Sequence, residues 1–277
     1  MMADHPIFTP DQEKEILNFF RQEGYAVVAD ALAVDEIAFL NDFVDRLKTE
    51  IPDEWGPDKR GCYSHGQVLV NHPELDHYVQ YETTFPLIDE IMGPGARFAQ
   101  YDFRDIPPGN GDSAMDYHKD GLNYKPPQPP QVGPYGCKYL CAIYHLSDVD
   151  VSTPRFCVVP KSGPYASMEE AQQQLGEAYR EIAITGPAGT AVLYDISIFH
   201  RRLAGEKEKG RRTQHNYFSP QGNPPLTSWV LIPERLAEHP EPGLCEYFSA
   251  WPEVTQTFAN QGYAAEFYRE HVVGKPT

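Results

Sequence analysis

Positive charge is scarce in this chain. Lys and Arg make up 23 of its 277 residues against 40 Asp and Glu, for a net charge of −17. Proteins bind nucleic acids largely by exchanging counterions for Lys and Arg on the phosphates. Such an acidic balance argues against a DNA or RNA partner, and anionic membrane surfaces are disfavoured for the same reason. Long apolar runs are absent too, so no segment reaches the length that crosses a bilayer. The N-terminal MMADHPIFTPDQEKEIL lacks the basic start and apolar stretch of a signal peptide. Cysteine is sparse: Cys62, Cys137, Cys141, Cys157 and Cys245 form no CxxC pair and no zinc-finger spacing. Free thiols in a reducing compartment fit best, and the expectation is a cytoplasmic protein.

Turn formers are plentiful instead, with 21 Gly and 26 Pro, which favours strands and loops over a helical bundle. Two amphipathic helices open the chain. The first spans Thr9 to Glu23 with Ile16, Leu17, Phe19 and Phe20 on one face, and Gly24 ends it. The second begins at Asp35 and repeats Ile37, Leu40, Phe43, Val44 and Leu47 at helical spacing. Tyr25–Val28 between them reads as a strand, and a shorter helix covers Thr84 to Met92. After that the pattern turns to strands. Arg97–Arg104 alternates as a half-buried strand does, and Tyr139–Leu146 is a continuous apolar run suited to a central strand. Further short strands follow at Phe156–Val159, Ile182–Ile184, Thr190–Tyr194 and Thr213–Phe218. One helix, Ser167 to Tyr179, interrupts them behind a capping-box sequence. Regular short strands behind an early helical layer predict a mainly β barrel or sandwich with flanking helices. No boundary divides the chain, so residues 1–277 read as one domain, with N-terminal helices over about 10–50 and a barrel core over about 96–220. The loops Ile106–Ser113 and Lys125–Gly136 flank Asp116–Gly121, and their proline density fits either a rigid connector or a lid.

Of ten histidines, His118 stands apart by its company, Tyr117-His118-Lys119-Asp120-Gly121. In extended backbone, residues two apart point to one side. His118 and Asp120 therefore converge while Lys119 faces away, and Gly121 lets the chain turn. Two His and one carboxylate make the facial triad of non-haem Fe(II) sites. His200 follows just beyond a strand entered from the Gly189 turn. Arg211 then starts the following strand, with Thr213 on its face and Arg212 on the other. HxD alone is a weak signal; the ordered set is more specific.

In these residues the chain resembles the phytanoyl-CoA dioxygenase family of Fe(II)/2-oxoglutarate oxygenases. Phe20-Arg-Gln-Glu-Gly-Tyr-Ala-Val-Val28 and the helix after it are similar to that family's N-terminal signature. The resemblance implies a double-stranded β-helix (jelly-roll, cupin-like) barrel. It also implies Fe(II) held by His118, Asp120 and His200, with 2-oxoglutarate and O2 as cosubstrates. Arg211 would grip the distal carboxylate of 2-oxoglutarate, since a planar guanidinium matches a carboxylate with two parallel hydrogen bonds. Thr213 would add a third bond, and Gln100 would reach the cosubstrate from the strand before the HxD loop. The chain departs from the family in Ser152–Gly163, which lacks the final His of a PGSH-like run. With Asp120 present, hydroxylation of a small organic molecule is favoured, and desaturation, epoxidation or ring formation stay open.

Two rival readings use the same residues. A zinc hydrolase accepts His and Asp ligands but gives no reason for Arg211 and Thr213. A non-catalytic binding module on the same fold is the second, and it would fit best if a ligand were missing. Residues facing the barrel mouth are taken as substrate contacts: Tyr63, His65, Arg104, Lys138 and Tyr217. Arg104 and Lys138 suit an anionic group, whereas an acyl-CoA is unsupported without a concentrated basic patch.

Overall fold

Helix α1 (Glu13–Glu23) buries Ile16, Leu17 and Phe20 and closes at Gly24, whose φ of +82° favours a residue without Cβ. It starts later than the Thr9-Pro10 pair suggested. Phe8 is taken up in a bridge to Val28, so residues 8–12 form an entry turn in which Thr9 N donates to Gln12 Oε1 at 2.9 Å. Strand β1 (Tyr25–Val28) follows, then α2 (Val34–Glu50), which buries Leu40, Phe43, Val44 and Leu47 as the spacing predicts. Burying each such side chain is worth about 1.5–3 kcal/mol.

The chain continues through β2 (Gly56–Pro57), β3 (Tyr63–His65), α3 (Val68–Asn71) and α4 (Phe85–Met92). Next come β4 (Arg97–Ile106), β5 (Leu140–His145) and β6 (Arg155–Val158). After α5 (Met168–Leu175) lie β7 (Ile182–Ala183), β8 (Ala191–Asp195), β9 (His200–Leu203) and β10 (Arg211–Ser219). Two short helices, α6 (Glu234–Ala237) and α7 (Pro242–Ser249), close the described chain. The computed structural model describes residues 5–249 apart from 67, 123–124, 127–128, 228–229 and 231. The proline-rich loop at 125–136 thus lies partly outside the described residues.

Seven strands form one sheet in the order β1-β8-β5-β10-β4-β3-β2, and three form a second, β7-β6-β9. The pairs β1–β8, β2–β3, β3–β4, β6–β7 and β6–β9 are antiparallel. Rings join the two sheets, with Phe156 of β6 centred 4.7 Å from Tyr194 of β8. By contacts the described residues form two compact units. Within the described residues the first draws on 5–65, 103–120 and 141–215, and the second on 66–102, 121–140 and 216–249. No linker marks this division, because each unit is assembled from separate stretches of chain.

Two local readings change. Strand β4 is not half-buried; nearly its whole length is covered. Its polar positions are held by hydrogen bonds instead of water: Gln100 Nε2 donates to Asp102 Oδ2 at 2.7 Å, and Asp105 accepts from Lys48 and Arg212. Ser167 caps α5 as expected, accepting from Glu170 N at 3.1 Å, but Glu170 reaches back to Ala166 N instead of completing the box at Ser167.

Candidate metal centre

The HxD segment is not a strand. It is held extended by pairing with the approach to β9, where His118 N donates to His200 O at 3.0 Å and His200 N to His118 O at 2.9 Å. Asp120 N donates to Ile196 O at 3.1 Å on one side of this bridge, and Met115 N to Arg202 O at 2.9 Å on the other. Backbone pairing thus brings together ligands some 80 residues apart in sequence. One ligand atom each from His118, Asp120 and His200 lies within 4.8 Å of the others.

Both rings are oriented by main-chain carbonyls. His118 Nδ1 lies 2.9 Å from Asp116 O, and His200 Nδ1 lies 2.9 Å from Ile198 O. A carbonyl only accepts, so each Nδ1 carries the proton and each Nε2 offers its lone pair. Those Nε2 atoms face the same carboxylate, at 3.7 Å from Asp120 Oδ1 and 3.5 Å from Asp120 Oδ2. Tyr194 adds a donor to Asp120 Oδ2 at 3.3 Å and packs edge-on against the His200 ring. Burial would raise the Asp120 carboxyl, but His200, Arg104 and His118 outweigh it and hold the group well below the usual range. Burial and the charge of His200 depress His118, partly offset by its bond to Asp116 and by Asp120. Two imidazoles and one carboxylate are a donor combination suited to a divalent transition metal.

Lys119 points away from the ligands, as alternation requires. Its ammonium donates to Ser162 O at 3.0 Å, Gly163 O at 2.8 Å and Tyr165 O at 2.7 Å, and sits 4.5 Å from the centre of the Phe199 ring. The loop it grips is the stretch in which the sequence departs from the PGSH-like pattern. Gly121 needs no special backbone, having no positive φ and open space where a Cβ would be.

Strand β10 alternates as expected. Arg212 lies on the outer face and pairs with Asp45 and Asp105. Arg211 and Thr213 are buried on the other face. Arg211 Nε and Nη1 have no hydrogen-bond partner among the described residues. Burial lowers this guanidinium to about 10, aided by the charges of Arg202 and Arg104 and opposed by Cys62. Thr213 Oγ1 is 3.0 Å from His215 Nε2, and burial holds His215 well below its ordinary value.

The remaining sequence candidates have mixed placements. Arg104 is close enough for its charge to act on Asp120, His118 and Arg211. Directly opposed residues of an antiparallel pair share a face. Tyr63 is opposite Asp105 and His65 opposite Phe103, so both lie on the face that packs against α2, where Phe103 meets Phe43 and Asp105 meets Lys48. There the Lys48 ammonium sits 5.0 Å from the Tyr63 ring centre, and His65 is 3.0 Å from Glu54. The structure therefore does not bring Tyr63 and His65 to the triad. Gln100, Lys138 and Tyr217 belong to the second unit. Gln100 bonds to Asp102 and Thr227, Lys138 is exposed, and Tyr217 is buried. Residues the sequence reading passed over are Tyr194, Arg202, His145 and His215. Two of them were visible as period-2 partners, Arg202 of His200 and His215 of Thr213.

No protein-family model and no curated protein sequence matches the chain. Solved structures do. EctD from S. alaskensis with bound Fe is similar at a TM-score of 0.64 and 16% identity, over 81% of this chain and 83% of that one. HygX from Streptomyces hygroscopicus with nickel and 2-oxoglutarate gives 0.61 and 15%, over 79% and 90%. The epimerase SnoN in complex with Fe3+, alpha-ketoglutarate and nogalamycin RO gives 0.63 and 15%, over 77% and 85%. At these identities the likeness establishes the fold: a jelly-roll barrel of the kind used by 2-oxoglutarate-dependent enzymes.

Proposed function

We propose that this protein is an Fe(II)- and 2-oxoglutarate-dependent oxygenase acting on a small organic molecule. The observation that carries the reading is Arg211. A buried guanidinium with two unpartnered nitrogens is costly, and here it lies in the same unit as a His–Asp–His cluster. A dicarboxylate held partly by a metal and partly by Arg211 accounts for both. Neighbours solved with iron or nickel and 2-oxoglutarate support this reading.

In this account His118, Asp120 and His200 hold the iron, and Arg211 orients the distal carboxylate of 2-oxoglutarate with Thr213 beside it. Iron with 2-oxoglutarate and O2 supplies the oxidising power, releasing succinate and CO2. The chain's own work is to keep both imidazoles in the tautomer that presents Nε2 and Asp120 ionised. Hydroxylation is the favoured outcome, although the solved neighbours include an epimerase and a carbocyclase.

Two measurements test the reading without a known primary substrate: 2-oxoglutarate binding to Mn(II)-loaded protein, and uncoupled succinate release with Fe(II) and O2. Arg211→Ala removes two charge-assisted bonds worth about 1.5–3 kcal/mol each, so affinity is expected to fall about 100-fold or more. Asp120→Ala is expected to abolish succinate. Wild-type protein that binds no 2-oxoglutarate would sink the oxygenase reading. Binding without turnover, even with candidate substrates, would favour a binding module on the same fold.

A further inference from the structure

Among the described residues, Arg202 is the one buried cation near the triad that the reading above does not use. It lies two residues beyond His200 on β9, on the same buried face. It is only 5% exposed. Its Nη2 donates to Ser113 Oγ at 3.0 Å, which fixes the guanidinium against the segment leading to His118. Its Nε is buried and has no hydrogen-bond partner among the described residues. Its charge acts on Arg211 and on Cys62, and both are also acted on by Arg104. Ion-paired carboxylates elsewhere in this unit are engaged by other cations: Glu23 by Lys161 and Arg180, Asp105 by Lys48 and Arg212, and Glu181 by Arg201.

Charge balance turns this into a statement about the ligand. Asp120 and the two carboxylates of 2-oxoglutarate neutralise Fe(II) and Arg211. Arg202 is left over in an interior where an uncompensated charge is expensive. A buried N–H without a partner beside a like-charged neighbour is the arrangement of an anion site.

We propose that Arg202 is the core of an oxyanion subsite for the primary substrate, with Arg104 contributing its field, so that the substrate carries a carboxylate or phosphate-type group. This rests on the oxygenase reading for the identity of the ligand, though not for the existence of the subsite. Ser113 positions the guanidinium, and the unpartnered Nε offers the free donor.

Calorimetric titration of inorganic phosphate into Mn(II)-loaded protein, with and without saturating 2-oxoglutarate, tests it. Phosphate is expected to bind with 2-oxoglutarate present, and Arg202→Gln to weaken it about tenfold or more, while 2-oxoglutarate affinity shifts less than about threefold. Arg202→Lys, which keeps the charge without the fork, should retain part of the affinity. If Gln unfolds the chain, Lys and Ser113→Ala carry the comparison. No phosphate binding to wild type, equal binding to a folded Arg202→Gln variant, or displacement of 2-oxoglutarate by phosphate would each overturn the proposal. Phosphate binding that depends on Arg202 in protein unable to bind 2-oxoglutarate would retain the subsite and sink the cosubstrate reading instead.

Discussion

Replacing Lys119 with Met keeps the stem over Phe199 and deletes three hydrogen bonds at once. The ammonium is held by the carbonyls of Ser162, Gly163 and Tyr165. A hydrogen bond to a charged group is worth about 1.5–3 kcal/mol when buried. Lys119 is only half-buried, and water can re-solvate the three oxygens, so the expected loss of stability is about 1–3 kcal/mol. The loop it holds also fixes the ligands, since Ser162 Oγ accepts from Phe199 N at 2.7 Å, one residue before His200. Metal affinity should therefore fall about tenfold, within the range for residues that orient ligands without touching the metal. Urea unfolding of the metal-free protein gives the first quantity and competitive metal titration the second. Lys119→Arg should not restore either fully, because a planar guanidinium suits three converging carbonyls less well than an ammonium. A stability change under about 0.5 kcal/mol together with unchanged metal affinity would refute the clasp.

Acid should destabilise the metal-free protein. His145 is lowered to about 3 by burial and by Arg211, and His215 is also held well below its ordinary value. Below pH about 6.5 the unfolded chain takes up protons that the folded chain refuses, costing up to about 1.4 kcal/mol per pH unit for each group. Unfolding midpoints measured from pH 7 to 5 should fall, and His145→Leu should flatten the slope; a flat wild-type profile would contradict the burial of these rings as neutral groups. At Gly111 an added Cβ would lie 2.2 Å from both Glu206 O and Lys209 O. Gly111→Ala should therefore cost about 2 kcal/mol or more, read by thermal unfolding, and a neutral result would mean that the contact with the 206–209 turn can open freely. Tyr194→Phe removes the hydroxyl donor to Asp120 and should weaken metal binding by up to about tenfold; tighter binding would show that the hydroxyl competes with the metal.

The helices were legible because their burial follows their spacing, as Phe43, Val44 and Leu47 show in α2. The convergence of His118 and Asp120 was legible from two-residue alternation, and His200 entered through the family resemblance; the structure brings the three side chains within 4.8 Å of one another. What failed depended on tertiary pairing. His200–Leu203 contains two arginines and carries no apolar period, yet pairs with β6 over four positions. The polar residues of β4 look solvent-facing in sequence, but Asp105 is covered and neutralised by Lys48 and Arg212 from α2 and β10. Tyr63 and His65 were expected at the barrel mouth, whereas the register of β3 on β4 decides their face.

Asp116 and Ile198 hold the two ligand rings with carbonyl oxygens alone. Every residue type offers that same oxygen, so side-chain replacement at either position leaves the acceptor in place. The aim of the imidazoles is thereby insulated from mutation at the two positions that set it. Asp116, which is exposed, can then vary in charge and bulk without moving its acceptor, whereas Ile198 is buried and is free to change only among apolar side chains of similar size.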